Sequence, residues 1–363
     1  MGRMKVFAVI MAGGIGSRVW PVSREAEPKQ FQNIFGERTL YQRAFDRIAK
    51  IVSPQSVIVV TNRAHRATAV EQLPQIPERN IIGEPVGRST APCVAVAASA
   101  LSSITDDAVM MVLPADHLIS EEENFISQMK EAVRLADLHK ALVTIGIRPT
   151  YPETGYGYIH FKKNEENSDI TSHGGYSVIS FKEKPDFDTA KKYLESGEYL
   201  WNSGMFIWRV DVILEELKKN LNHFSEFHQS LKDGFGSEKF SSALNEFYSN
   251  VSSISVDYAV MEKSENVLTI PSNFSWSDVG SWDEVYRLSE SDDSGNAFKG
   301  NVVAVRSKNN LVWARSKSVS LVEAEDLIVV ETGDSVLICK RGKSQGVKEV
   351  VDMLRKQGRL ELL

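Results

Sequence analysis

Cysteine is scarce: Cys93 and Cys339 are the only two in 363 residues. They are too few and too far apart for a disulfide framework or a zinc knuckle, so reduced thiols in a cytoplasmic protein are the expectation. No apolar run approaches the ~20 residues that span a bilayer. The start, MGRMKVFAVIMAGG, lacks a signal peptide's apolar region and small-residue cleavage site. Gly2 does not open a myristoylation signal, because Val6 stands where Ser or Thr is wanted. Positive charge is not in surplus either. A formal net charge of −6 argues against a basic face for nucleic acid. There is no low-complexity tract and no clean internal repeat. The expectation is a soluble protein with no membrane or nucleic-acid partner, whose few cations must converge in one cleft if it holds phosphate.

What is present is an ordinary globular balance, 42% hydrophobic and 25% charged, over a length that suits one large domain plus a smaller one, or two domains. VFAVIMA (6–12), VIVVT (57–61), AVMMVL (108–113) and ALVTIGI (141–147) read as buried strands. Leu40, Ala44, Ile48 and Ile51 recur at helical spacing, and Pro92 opens an apolar helix over 92–104. This alternation implies an α/β fold, a Rossmann-like, mostly parallel mixed sheet with helices on both faces. Ligands of such sheets bind at the carboxyl ends of strands, which assigns Gly13–Arg18 and Pro114–His117 to one rim. From about 155 the pattern is mixed, with strands in YGYIHF, YSVISF and GMFIWR and helices near 187–197, 210–220 and 237–249. After the polar stretch SESDDSGNAF, five short strands and a helix at 346–357 form a small β-rich region. The boundaries predicted are 1–294 and 295–363.

AGGIGSRVWPVSREAEPKQF follows the first strand. Glycines there let backbone N–H groups approach a phosphate with no Cβ in the way. A dinucleotide fingerprint counted from Gly14 fails at Val19, and a Walker A loop fails because Gly16 is followed by Ser17 and Arg18. What remains is G-G-x-G-x-R with Lys29 eleven residues on. Arg18 offers a planar fork and Lys29 a movable point charge. The competing reading is a tight turn with solvated cations.

Further motifs each carry two readings. Asp116 in LPADH follows a buried strand and is either a helix cap or a magnesium ligand, since hard cations take carboxylate and phosphate oxygens; Asp278 in WSDVGSW offers a second carboxylate. Glu183 and Lys184 in FKEKP are an exposed ion pair or a ligand set. Asn202 in WNSGMF, with Gly204 beyond it, has an amide that can both donate and accept hydrogen bonds. Gly155 and Gly157, either side of Tyr156 in TGYGYI, leave backbone open to a ligand. His65, His117 and His160 are not at metal-ligand spacings, and Trp201, Trp276 and Trp282 read as packing residues.

Together these blocks resemble the sugar-1-phosphate nucleotidylyltransferases, and WP-x-S-R…PKQF resembles the mannose-1-phosphate guanylyltransferases among them. The resemblance runs from residue 6 to about 355. It implies a nucleotide-diphospho-sugar transferase fold followed by a short left-handed β-helix. It assigns Arg18 and Lys29 to catalysis. Nucleotide binding falls to Ala12, Gly13, Gly14, Gly16, Ser17, Pro114 and Ala115, and to Glu84, Arg88, Ser89 and Thr90 of EPVGRSTAP. Asp116 and Asp278 would hold Mg2+ together. Glu183 would contact sugar hydroxyls and Lys184 the sugar phosphate, beside Gly155, Tyr156, Gly157, Asn202 and Gly204. Asp257 in SVDYAVMEK is a sugar contact or a structural salt bridge. A Glu84 carboxylate can accept from guanine N1–H and N2–H, an edge adenine does not present; the alternative is a plain helix start at Thr90–Pro92. Ser89, Ser17 and Val19 depart from the Asn, Thr and Leu expected of the family.

The reaction implied joins GTP and mannose 1-phosphate to give GDP-mannose and pyrophosphate. Two rivals stay open: the same chemistry on another nucleotide or sugar, and a non-catalytic subunit that senses nucleotide sugars. Some family members carry a fused isomerase domain beyond this point; a short form with one activity is expected here, and a homodimer through the β-rich region.

Overall fold

The computed structural model describes residues 4–163 and 169–363; Gly2 lies outside them. By contacts the chain forms two compact units. The first comprises residues 1–13, 44–115 and 119–276, and the second residues 14–43, 116–118 and 277–363.

The first unit is built on a nine-stranded sheet. Its strands are β1 (Lys5–Ala12), β2 (Val57–Asn62), β3 (Ile81–Glu84), β4 (Ala108–Pro114), β6 (Leu142–Ile147), β7 (Gly157–Phe161), β8 (Tyr176–Glu183), β9 (Tyr199–Arg209) and β10 (Val267–Pro271), while β5 (Leu118–Ile119) is a two-residue strand outside it. The order is β3-β2-β1-β4-β9-β6-β10-β8-β7. The apolar runs β1, β2 and β4 are buried almost end to end, as central parallel strands covered on both faces are. β3, β2, β1 and β4 pair in parallel; β1, β2 and β4 are strands the sequence predicts, and β3 is not. Beyond β4 the expectation of a mostly parallel sheet needs correcting. β9 runs antiparallel between β4 and β6, and β7 and β8 add antiparallel pairs. The helix Thr90–Ser102, buried along nearly its whole length, packs in a core cluster of the sheet. It begins two residues before Pro92, which occupies an early position where its missing N–H costs nothing. Two helices unread in the sequence, Glu122–His139 and Phe224–Gly234, complete the cover. Among the described residues no helix is long and apolar enough to cross a membrane.

After β11 (Trp276–Ser277), where the chain leaves the first unit, β12 (Ala297–Lys299), β14 (Leu311–Ala314), β16 (Leu327–Glu331) and β17 (Val336–Lys340) of the second unit form one sheet, with β13 (Val302–Val305) and β15 (Val319–Val322) as a second. All pairs but β16–β17 are parallel. The pairing of Leu311 with Ile328 and of Val302 with Val319 places residues 17 positions apart on successive layers. This is a repeat of backbone geometry that the residue identities do not display. Asn310 ties the layers, its Nδ2 donating to Asn296 Oδ1 (3.0 Å) and Ala324 O (2.9 Å) while its Oδ1 accepts from Leu327 N (2.9 Å). The region is β-helix-like.

The glycine-rich segment itself belongs to this second unit. Val19, Trp20, Val22, Ile34 and Leu40 share one core with Trp282, Leu311, Trp313, Ile328, Val330 and Leu354. Trp282 Nε1 donates to Trp20 O (2.8 Å), and Trp20 Nε1 to Leu362 O (2.7 Å). Large apolar side chains decide this packing: Trp20 and Trp282 find a matching apolar layer in the C-terminal strands.

Candidate active site

In the first unit β1 ends at Ala12, whose carbonyl accepts from Thr61 Oγ1 (2.9 Å), and Ala115 N donates to Met11 O (2.9 Å). Parallel pairing thus sets Ala12–Gly13 and Pro114–Ala115 side by side. Glu84 closes β3 and is buried. A Cβ on Gly13 would stand 3.9 Å from Glu84 Oε2, so this glycine lies against the carboxylate. Tyr248, which no motif flagged, donates its hydroxyl to Glu84 Oε1. Burial pushes the Glu84 carboxyl up to about 7, the Tyr248 hydrogen bond opposing it. The segment after Glu84 is pinned: Arg88 O accepts from Ile254 N (3.3 Å), and Thr90 Oγ1 from Val256 N (2.8 Å). Ser89 sits at φ 65°, ψ −165°, a conformation that favours glycine.

The sugar motifs also lie in the first unit. Gly157 pairs with Glu183, and a Cβ on Gly157 would fall 2.5 Å from Glu183 Oε2, so only glycine leaves that carboxylate its place. Lys184 is exposed, paired with Glu183 Oε1 at 3.2 Å. Asn202 already uses part of its amide within the protein. Nδ2 donates to Asp257 Oδ1 (2.6 Å), and Oδ1 accepts from Gly204 N (3.1 Å). Asp257 opens the π-helix Asp257–Met261. Burial raises its carboxyl, Asn202 opposes and nearby Glu183 adds to the rise. Among the described residues it makes no ion pair, and it joins Glu183 and Asn202 in one polar group. The Tyr156 ring meets Trp201 (5.3 Å) and Trp276 (5.4 Å) edge-on, with Trp201 buried, so these indoles pack. Gly155 N donates to Glu153 Oε1 (2.7 Å).

In the second unit Gly14 (φ 84°) and Gly16 (φ 76°) turn the chain into the short helical turn Ser17–Val19. Gln30, unread in the sequence, donates to Gly14 O (3.2 Å), and Lys29 N to Ile15 O (3.1 Å). Arg18 is exposed and makes no hydrogen bond or ion pair among the described residues. Lys29 is the reverse of a movable charge. It is buried, packed where a Gly16 Cβ would be, and its Nζ stands 2.7 Å from Asp116 Oδ2 while donating to Asp278 O at 2.7 Å. Burial works to raise the Asp116 carboxyl, but Lys29 and then His117 hold it below its ordinary value. Asp116 is no helix cap, and His117 is its neighbour at 3.8 Å. Asp278 Oδ1 accepts from Gly280 N (3.1 Å), and a Cβ on Gly280 would fall 2.9 Å from Asp278 Oδ2. Arg18, Lys29, Asp116 and Asp278 thus belong to one unit, although residues 18 and 278 stand far apart in the chain.

An exposed guanidinium, a fixed ammonium and two carboxylates are the parts of a phosphoryl-transfer site. The model of the nucleotidyl transferase family matches residues 7–295, and that of the MannoseP isomerase/GMP-like β-helix domain matches residues 300–354. The mannose-1-phosphate guanylyltransferase of Salmonella muenchen is 40% identical over 98% of this chain and 75% of its own length. That of Escherichia coli (strain K12) is 40% identical over 99% of this chain and 76% of its own. The crystal structure of mannose-1-phosphate geranyltransferase from Thermus thermophilus superposes with a TM-score of 0.83 at 31% identity, covering 97% of this chain and 100% of that one. The chain belongs to the nucleotidyl transferase family, and within it to the mannose-1-phosphate guanylyltransferases.

Proposed function

We propose that the protein transfers the guanylyl group of GTP to α-D-mannose 1-phosphate, giving GDP-mannose and pyrophosphate. The observation that carries this reading is the Lys29–Asp116–Asp278 arrangement, in a chain 40% identical over 98% of its length to a mannose-1-phosphate guanylyltransferase.

A sugar-phosphate oxygen attacks the α-phosphorus of GTP, the new P–O bond forms in line, and the bond to the β-phosphate oxygen breaks as pyrophosphate leaves. No protein nucleophile is needed. The two substrates bring about six negative charges, whose mutual repulsion is severe wherever water is excluded. Arg18 is free to fork onto phosphate oxygens, and Lys29 is held in place before substrate arrives. The donor set fits Mg2+. Asp116 and Asp278 offer hard oxygens, Gly280 leaves room for the second carboxylate, and Mg2+ takes one or two carboxylates with phosphate oxygens and water completing the shell. Among the described residues no larger ligand group gathers, which suits a metal shared with substrate. When bound there, Mg2+ would neutralise charge developing on the phosphates. Glu84 reads guanine, Gly13 admits the nucleotide, and Arg88, Ser89 and Thr90 hold that loop. Glu183, Asp257 and Asn202 take the sugar hydroxyls beside Gly155–Gly157, and Lys184 the sugar phosphate.

Residues 1–294 carry these groups and 295–363 support them as a left-handed β-helix. A cytoplasmic homodimer is part of the reading, favoured by exposed Val303, Val305, Val322 and Ile338 on the C-terminal strands; sedimentation at micromolar concentration checks it. The reaction is tested with GTP labelled at the α-phosphate. Label must appear in GDP-mannose only when mannose 1-phosphate is present. A sensing subunit would bind GDP-mannose and transfer no label.

A further inference from the structure

Tyr248 lies on the helix Lys239–Asn250 and is fully buried. Its hydroxyl meets Glu84 Oε1, leaving Oε2 on the side of Gly13. Its own backbone is held as well, since Arg88 Nε donates to Tyr248 O (3.3 Å). The titratable groups that face Glu84 are Tyr248 and the buried thiol of Cys93 on the helix Thr90–Ser102. Burial, and after it Glu84, pushes the Tyr248 phenol well above its ordinary range, so at neutral pH it is a donor.

We propose that Tyr248 is a positioning residue for nucleobase selection, its hydroxyl holding Glu84 as a pure acceptor for the two N–H groups of a guanine edge. This rests on the reading of Glu84 as the guanine contact. An ionised carboxylate has about four lone-pair sites. Tyr248 takes one, and guanine N1–H and N2–H take two more. A protonated Glu84 would instead turn an O–H toward guanine N1–H, donor against donor. The same protonated group presents one donor and one acceptor, the complement of adenine N1 and N6–H. The ionisation of Glu84 therefore decides which purine fits, and the phenol biases it toward guanine.

The direction of the pH effect follows. With the Glu84 carboxyl near 7 in the free protein, guanine binding selects the ionised form and expels a proton below that pH. Affinity for GDP-mannose should rise with pH through this range and level off above it, by about tenfold between one pH unit below the midpoint and the plateau. GDP-mannose is the right probe because its diphosphate does not titrate near neutrality.

The experiment is titration calorimetry of GDP-mannose into the full chain from pH 6 to 8.5, in two buffers of different ionisation heat. The intact protein should release about 0.8 proton at pH 6.5 and almost none at 8.5. In Tyr248→Phe the midpoint should climb by about one pH unit, so that it releases at pH 7.5 what the parent releases at 6.5. ATP use relative to GTP should grow at the lower pH. Should that variant not fold, 3-fluorotyrosine introduced at position 248 keeps the shape, donates more strongly and should lower the midpoint. Glu84→Gln separates the two claims. If it binds GDP-mannose with parental affinity and pH dependence, Glu84 is not the guanine contact. If it loses both, while Tyr248→Phe or the fluorinated protein keeps the parental midpoint, the role given to Tyr248 is wrong.

Discussion

Trp282→Phe tests whether the C-terminal region holds the phosphate loop in shape. Trp282 has no exposed surface and its indole N–H bonds Trp20 O at 2.8 Å. Trp20 itself is 6% exposed and follows Arg18 by two residues. Phenylalanine keeps much of the bulk but leaves a buried carbonyl without its donor, at about 1–3 kcal/mol. The lost ring volume adds about 1–2 kcal/mol if the cavity does not collapse. The sum is about 2–5 kcal/mol, confined to the second unit. Urea unfolding followed by tryptophan fluorescence should then resolve an earlier transition for that unit, with the sheet's transition unmoved. Below that transition kcat/KM for GTP should fall about tenfold, because Arg18 and Lys29 lose their floor, while the KM for mannose 1-phosphate holds. A single cooperative shift with unchanged GTP kinetics would refute this reasoning.

Asp116→Asn and Asp278→Asn should each lower turnover on the order of 100-fold or more in a protein with normal circular dichroism, and near-normal rates at saturating Mg2+ would count against both as ligands. Lys29→Ala should damage GTP use and also stability, since it strips a buried partner from Asp116. Lys184→Ala, exposed at 63%, should raise the KM for mannose 1-phosphate with little change in melting temperature. Gly16→Ala drives a methyl to 2.6 Å from Lys29 Cβ at φ 76° and should cost about 1–3 kcal/mol, read by thermal melting together with loss of GTP turnover.

Much of this was legible in the chain itself because it is local. β1, β2 and β4 are continuous apolar runs of strand length, and the last five strands are short runs set between turn residues. The site's residue types were legible too, since phosphate chemistry demands glycine, Arg, Lys and Asp in a recognisable order. What escaped was long-range. Nothing in Trp20 or Val22 says that they bury against Leu311 and Leu354, so the glycine-rich segment looked like part of the sheet domain. Lys29 looked mobile because its burial depends on Gly16 and on a carbonyl at position 278. Asn202 read as a sugar ligand, and only its bond to Asp257 reveals how its amide is used. Tyr248 carries no local signal, because a tyrosine at helical spacing is ordinarily core. The helix Glu122–His139 did leave a pattern, in Phe125, Ile126, Met129, Ala132, Val133 and Ala136, and a count at helical period would have found it.

The most direct test of the account is the rate of pyrophosphate release by the purified full chain over a matrix of nucleoside triphosphates and sugar 1-phosphates. GTP with mannose 1-phosphate should give the highest specificity constant. ATP should lag by about 100-fold or more at pH 8, where Glu84 is ionised and adenine offers it no pair of donors. Equal or faster release with another nucleotide or another sugar phosphate, or no release from any pair, would contradict it.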